Sequence, residues 1–431
     1  MALERGADVV VVGAGIVGCA TAYFLARRGL RVVVVERGPV PGEQSRKNWG
    51  FVRQQGRDPL EMPLVVEANR LWQGLERELN AEVEWVRGGN LALAADDARM
   101  ARFEAWLPVA REFGLETRLL RARDLGAVVP GLAGRWVGGM HTPGDGHADP
   151  EKATDAFARA CVAHGASLHL GCAVQGVTTH AGAVAGVVTE QGEIRAPAVV
   201  CAAGAWSSRL ARTLGLDLPQ RWVRGTVART APAPPVTDCA VWGPGVAFRQ
   251  RRDGSFTIAA GGALDHDVTL DSLRQLRFFL PSYWKNRAMF RFHVGRPLLA
   301  SLAAALPGSP ARRRPLVWDR ALEPCPNPAK VRRSLAELRR VLPALPPLGV
   351  ARSWAGYIDA VPDLVPVLGE VPPLRGFVLA TGFSGHGFAM GPIAGRLVSE
   401  LIVDGKPSLD IAGLRFSRFA EGAIGPPRNV L

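Results

Sequence analysis

Residues 8–36 read DVVVVGAGIVGCATAYFLARRGLRVVVVE. Val9 to Val12 are a β-branched apolar run, long enough for one buried strand. Gly13, Gly15 and Gly18 follow without a gap as G-x-G-x-x-G, with Ile16 and Val17 between the last two. Residues 20–28 have a helical pattern, Gly29 stops it, and Val32 to Val35 make a second buried strand ending at Glu36. Glycines at this spacing are common, but strand, glycines, helix, stop and acid together define a dinucleotide-binding β-α-β unit. Gly13 permits the tight turn, Gly15 lets a pyrophosphate approach the backbone, and Gly18 lets the helix pack closely. The helix N-terminus offers N–H groups and partial positive charge to that pyrophosphate. Glu36 can accept hydrogen bonds from the adenosine ribose.

Outward from this unit, residues 38–57 (GPVPGEQSRKNWGFVRQQGR) are too polar and basic for a core element. They follow the nucleotide unit directly, so the loop is expected to run over the cofactor. Helices are expected at 60–79 and 95–113, two short strands at 83–94, a short helix at 121–125, and a strand at 136–142. Asp149 and Pro150 read as the N-cap and first residue of a helix to His164. Strands at 167–174, 186–189 and 198–204 return to the nucleotide-binding pattern. Strands at 221–230, 246–250 and 255–260 then suggest a separate antiparallel sheet. Residues 272–280 read as a helix and 281–328 as irregular, with a short apolar helix at 297–306 whose simplest reading is core packing. A helix at 331–341 and a strand at 350–357 precede a last strand–loop–helix unit at 377–402, and the tail beyond Phe419 is expected to be loose.

With 431 residues, 48% apolar and 21% charged, the chain is long enough for two or three substantial cores. No run of about 18 apolar residues predicts a membrane span. The first strand begins too early to leave room for a signal peptide. Cys19, Cys161, Cys172, Cys201, Cys239 and Cys325 are scattered without a C-x-x-C pair, which points to reduced thiols, a cytoplasmic location and no zinc site. The net charge of +13 rests on arginine, without interleaved aromatics or a nucleic-acid module, so no nucleic-acid partner is expected.

The fingerprint, AVVCAAGAWS at 198–207 and ATGFSGHGF at 380–388 resemble the amino-acid oxidase family of FAD enzymes. That family includes glycine oxidase, sarcosine oxidase, D-amino-acid dehydrogenases and opine oxidase subunits. The resemblance implies an α/β fold: a Rossmann-like FAD-binding domain with an inserted α+β substrate domain built on an antiparallel sheet. Its segments would be 1–86, 148–217 and 357–413 for FAD, 87–147 and 218–356 for substrate, and 414–431 as a C-terminal tail. By residue, it implies pyrophosphate contacts at Gly13, Gly15, Ile16, Val17 and Gly18, and adenosine contacts at Glu36, Arg37 and Val174. Ser45, Arg46 and Asn48 would pass over the pyrophosphate and isoalloxazine. Ala203, Gly204 and Trp206 would pack on the cofactor. Gly382, Ser384, Gly385, His386, Gly387 and Phe388 would lie beside the flavin. A glycine-rich loop before a helix also suits flavin N1 and O2, where negative charge builds on reduction.

Two departures from the family stand out. Ala355 falls where some relatives carry the flavin-tethering cysteine, so FAD is expected to be non-covalent. Ala389 falls where a second carboxylate-binding basic residue is found, leaving Arg53 as the anchor, with Arg249, Arg251 and Arg224 as candidate replacements. Arg53 and His386 are the candidate catalytic residues. Trp49 and Tyr357, with Phe51, Phe248 and Trp354, are candidate apolar walls; His147 reads as a turn residue. The implied reaction is oxidation of the C–N bond of an amino acid or secondary amine by hydride transfer to flavin N5, giving an imine. Oxygen or another acceptor would reoxidise the flavin, and the oligomeric state is open. Two alternatives stand beside it: the glycine-oxidase-like half of a tRNA-modifying enzyme, and an electron-transferring flavoprotein subunit of a larger amine or opine oxidase. A flavin monooxygenase is disfavoured because no second nucleotide fingerprint for NADPH is present.

Overall fold

A computed structural model describes residues 3–261, 264–285, 290–309 and 323–428. The four-valine runs Val9–Val12 and Val32–Val35 are wholly buried and pair in parallel. The Val9–Val12 strand is flanked on its other side by Ala198–Cys201, which in turn pairs in parallel with Leu374–Thr381. Ser167–His169 completes the far edge beside Val32–Val35. The helix Ile16–Arg27 packs between the helices Gly387–Asp404 and Pro150–Ala163, so the nucleotide unit is held by segments from three distant parts of the chain. Asp149 caps Pro150–Ala163 by accepting from the Lys152 N–H at 2.9 Å.

The second sheet is mostly antiparallel. Its centre is the long strand Arg221–Pro232, paired with Val350–Ala360 and Ser255–Ala259. Two neighbour pairs break the pattern: Ala240–Trp242 lies parallel to Asn90–Ala94, and Leu264–Asp267 parallel to Phe290–His293. Its core is a separate apolar cluster that includes Leu91, Val241, Phe248 and Ile258.

Several sequence readings are corrected. Residues 167–174 do not form one strand: Ser167–His169 ends in a turn, and Val174–His180 starts another strand. Leu374–Thr381 begins earlier than expected, and the final helix starts at Gly387. The stretch 281–328 is not all irregular, since it holds Phe290–His293 and Arg296–Ala305; residues 310–322 lie outside the described residues. The Arg296–Ala305 helix does not pack in a core. None of its residues is buried, and Leu299 is 67% exposed. The tail is not loose as far as Arg428: its guanidinium donates to Asp58 Oδ1 at 2.8 Å, returning the chain end to the loop after Arg57.

Candidate functional site

One cavity of about 1140 Å³ runs from the glycine turn to the 383–388 loop. It exceeds the usual range of about 300–1,000 Å³ for small-molecule sites. At its nucleotide end, the backbone leaves no room for side chains. Gly13 has φ +104°, and a Cβ there would meet Ala202 O at 2.5 Å. A Cβ on Gly18 would sit inside the contact distance of the Gly13 carbonyl oxygen. The helix start at Gly15 has no side-chain cap, and Ser45 Oγ accepts from the Ile16 N–H at 2.9 Å. Glu36 accepts from the N–H groups of Ala14 (2.9 Å) and Gly38 (2.8 Å), which fixes its carboxylate at the cavity wall. The Arg37 guanidinium lies 3.5 Å over the Trp206 ring. A bare glycine cradle, a helix start whose N-cap is a glycine and a fixed acid fit a dinucleotide.

Val174, Ala203 and Gly204 also line the cavity, as do Ile16, Val17 and Asn48. At the far end lie Ser384, Gly385, His386, Gly387 and Phe388, together with Arg53, Trp49, Phe51 and Tyr357. Eight expected contacts do not reach it. Gly18 and Gly382 act in packing and turning: Gly382 has φ +69°, and its N–H donates to Asp359 Oδ2 at 3.0 Å. Arg46 turns outward to Glu323 at 3.0 Å. Arg249 is buried in the second sheet's interface, donating to Trp49 O at 2.6 Å. Arg251 pairs with Asp149, tying the sheet to the cap of the Pro150–Ala163 helix. Neither is a carboxylate clamp. Arg224, paired with Asp267 at 3.2 Å, is none either. Phe248 belongs to the core and Trp354 donates to Lys47 O at 3.0 Å, so both leave the list of wall residues. His147 is buried between the sheets, its Nε2 3.1 Å from Asp238 O.

Residues not singled out in the sequence complete the site. Asp359 accepts from Gln44 Nε2 (3.0 Å) and the Gly382 N–H (3.0 Å), linking the 43–48 loop to the C-terminal loop. Burial pushes its carboxyl up to about 6. Asp145 accepts from the N–H groups of Gln54 (2.8 Å) and Gln55 (3.2 Å) and fixes the segment that carries Arg53; burial pushes it up to about 6 as well. Trp242 packs against Trp49 in a tilted pair with centroids 4.8 Å apart, and Trp106 donates to Arg57 O at 2.9 Å from the helix Asp97–Glu112.

Glu61 is fully buried, with Oε1 2.8 Å from His386 Nδ1. Burial pushes Glu61 up, but His386 and Arg57 outweigh it and hold the carboxyl below its usual range. Burial, then the Arg57 charge, holds His386 down at about 4. At neutral pH the ring is therefore neutral, with its Nδ1 hydrogen donated to ionised Glu61. The unfolded imidazole takes its proton near pH 6.5 and the folded one only near 4. Stability from this group is thus present above about 6.5 and lost as pH falls to about 4, some 3 kcal/mol in order of magnitude. Asp145 and Asp359 act oppositely over much of this window, so the difference between variants is the measurement. His386→Gln should lose less stability than the parent between pH 6.5 and 4 in urea melts; parallel curves would remove this assignment.

A family model described as FAD dependent oxidoreductase matches residues 8–401. The chain is 29% identical to glycine oxidase of Pseudomonas aeruginosa over 94% of this chain and 97% of that protein. It is 26% identical to mitochondrial sarcosine dehydrogenase of Homo sapiens over 99% of this chain and 43% of that protein. The chain thus spans less than half the length of that relative. Among solved structures, L-amino acid deaminase from Proteus vulgaris superposes with a TM-score of 0.90 at 26% identity, over 97% of this chain and 98% of that one. No helix among the described residues is long and apolar enough to cross a membrane.

Proposed function

The chain belongs to the FAD-dependent oxidoreductase family, and from that premise we propose that it oxidises the C–N bond of an amino acid or secondary amine. The observation that carries this reading is the far end of the cavity. There a buried arginine, Arg53, and a neutral histidine, His386, share one chamber with aromatic walls, beyond the glycine cradle that suits FAD. Names of relatives support it: glycine oxidase and sarcosine dehydrogenase both act on small amino acids.

The chemistry that bound FAD supplies is acceptance at N5 of a hydride from the substrate α-carbon, which leaves an imine for water to hydrolyse. The protein's task is placement. Arg53 holds the carboxylate, because a planar guanidinium matches two carboxylate oxygens. Asp145 keeps that arginine's loop rigid through the Gln54 and Gln55 amides. Trp49, Phe51 and Trp242 exclude water around the reacting carbon. His386, with Nδ1 engaged by Glu61, has its other ring nitrogen to accept a hydrogen bond from the amine. A ring held near 4 does not take the amine's proton at neutral pH, so the substrate must react as the free amine.

The deciding experiment is anaerobic reduction of the bound flavin by D-, L- and N-methyl amino acids. Bleaching by at least one class is expected, and a panel that leaves the flavin oxidised refutes the reading. FAD is taken as non-covalent, since no cysteine is among the described lining residues and Ala355 is a buried strand residue. Acid precipitation should leave the yellow colour in the supernatant; colour retained in the pellet would show a covalent link.

A further inference from the structure

The reacting end of the cavity carries more positive charge than one carboxylate needs. Arg53, Arg57, Arg99 and Arg102 all line the cavity. Arg57 is 3% exposed; its Nε donates to Arg53 O at 3.3 Å, while its Nη1 is buried with no hydrogen-bond partner. Arg99 stands on the helix Asp97–Glu112, its Nε likewise buried and without a partner. Among the described residues, none of these four arginines has a carboxylate within ion-pair distance. The acids nearby give no direct hydrogen bond to these guanidinium groups. Glu61 binds His386 through Oε1, Asp145 accepts from the amides of Gln54 and Gln55, and Asp96 accepts from the Arg99 N–H that it caps; Glu61 and Asp145 offset the charges of Arg53 and Arg57 only from beyond ion-pair distance. Asp58 is taken by Arg428 from the tail. The carboxylates that do line the cavity lie in other contacts: Glu36 on Ala14 and Gly38, Glu43 on Lys47, and Asp359 on Gln44 and Gly382.

Buried guanidinium groups without partners are costly unless a ligand supplies the acceptor. Burial disfavours the charged form of Arg53 most, and Arg57 and Arg99 add repulsion that Asp145 and Glu61 offset in part. A single carboxylate on Arg53 would leave Arg57 Nη1 and Arg99 Nε without acceptors. We propose that the substrate is an amino acid with a second carboxylate, received by Arg57 and Arg99 while Arg53 holds the first. This rests on the C–N oxidation reading above and specifies its substrate class. The second carboxylate can sit on the side chain or on the amine substituent. Either way, the amine lies between two anionic arms, and only its carbon and nitrogen need face the reactive ring.

The test uses the flavin-loaded full chain. Aspartate, glutamate and iminodiacetate are compared with alanine, glycine and sarcosine in anaerobic flavin reduction, using both enantiomers where they exist. A preference of about tenfold to a hundredfold for the dicarboxylates is expected, the worth of charge-assisted hydrogen bonds. Aspartate and glutamate winning places the second carboxylate on the side chain; iminodiacetate winning places it on nitrogen. Arg57→Gln and Arg99→Gln should each lower the preference at least about tenfold, and Arg57→Lys should restore part of it. Arg99 is half-exposed on a surface helix, so its variant is the one least exposed to folding failure. As a readout independent of turnover, succinate should perturb the flavin spectrum at far lower concentration than propionate, and Arg99→Gln should narrow that gap. Equal or better reduction by monocarboxylates, or a preference that neither variant moves, overturns the second-carboxylate site alone. Failure of every amino acid of both classes overturns it together with the C–N oxidation reading.

Discussion

Gly18→Ala is expected to yield protein that carries no flavin, or none that is soluble. The added methyl would sit within contact distance of the Gly13 carbonyl oxygen, backbone against side chain, where neither can swing away. Overpacking of this kind costs about 1–3 kcal/mol where neighbours can yield, and more where they cannot. Here they cannot. Gly13 is held in its turn by its own N–H bond to Val35 O at 2.9 Å, and its Cβ position is closed by Ala202. The Ile16–Arg27 helix is buried along nearly all its length and touches two other helices, so it has no direction in which to back off. Either the helix lifts, and the N–H groups at its start leave the phosphate position, or the turn opens. The ratio of flavin to protein absorbance reads both outcomes. A Gly18→Ala protein with full flavin content and an unchanged melting temperature would show that helix and turn do not make the cradle.

Arg53→Ala carries the second large effect. Truncating one partner of a buried charge-assisted pair costs about 2–5 kcal/mol, which is about 30-fold to several thousand-fold in kcat/KM. Most of it should appear in KM for amino acids, since the carboxylate is held in ground state and transition state alike. Arg53 also donates to Gln55 O, so loss of that bond could loosen the loop without any role in binding. Two comparisons separate these. Arg53→Lys keeps the charge but loses the fork, and should fall between parent and alanine variant. A simple amine without a carboxylate should be turned over equally by Arg53→Ala and the parent if the arginine only anchors. An unchanged KM for amino acids would sink the anchor role.

The nucleotide half was legible because its physics is local. Two valine runs, glycines at fixed spacing and Glu36 specify a turn whose geometry admits few alternatives. The 380–388 loop was legible by resemblance, and its contribution to the cavity follows from one parallel strand. The substrate end was less so. Arg249 and Arg251 looked like clamp residues because they lie on, and just past the end of, a strand of the second sheet. Whether a strand residue faces a cavity or a neighbouring layer is set by register and tertiary packing, which period-two alternation alone does not decide. Glu61 and Asp145 went unread for a related reason: an acid in a loop or at a helix start looks solvated until the chain folds over it. Arg57 and Glu61 follow Arg53 at intervals of four residues, a spacing that could have drawn attention to all three. The helix Asp97–Glu112, whose arginines are balanced by acids, gave no such signal; its role comes from the Trp106 bond to Arg57 O.

The order of strands in the first sheet has a consequence for biosynthesis. Val9–Val12 leaves the ribosome well before its neighbour Ala198–Cys201, and the next strand, Leu374–Thr381, follows later still. Until that last strand emerges, Ala198–Cys201 is an unprotected parallel edge of apolar backbone, a template for pairing with other chains. Contacts spanning such separations also form slowly. Between the emergence of Ala198–Cys201 and that of Leu374–Thr381 nascent chains are therefore aggregation-prone, and the first sheet cannot present a complete cofactor site until the later strand arrives. Fragments ending before Leu374 should accumulate in inclusion bodies rather than as a small yellow protein.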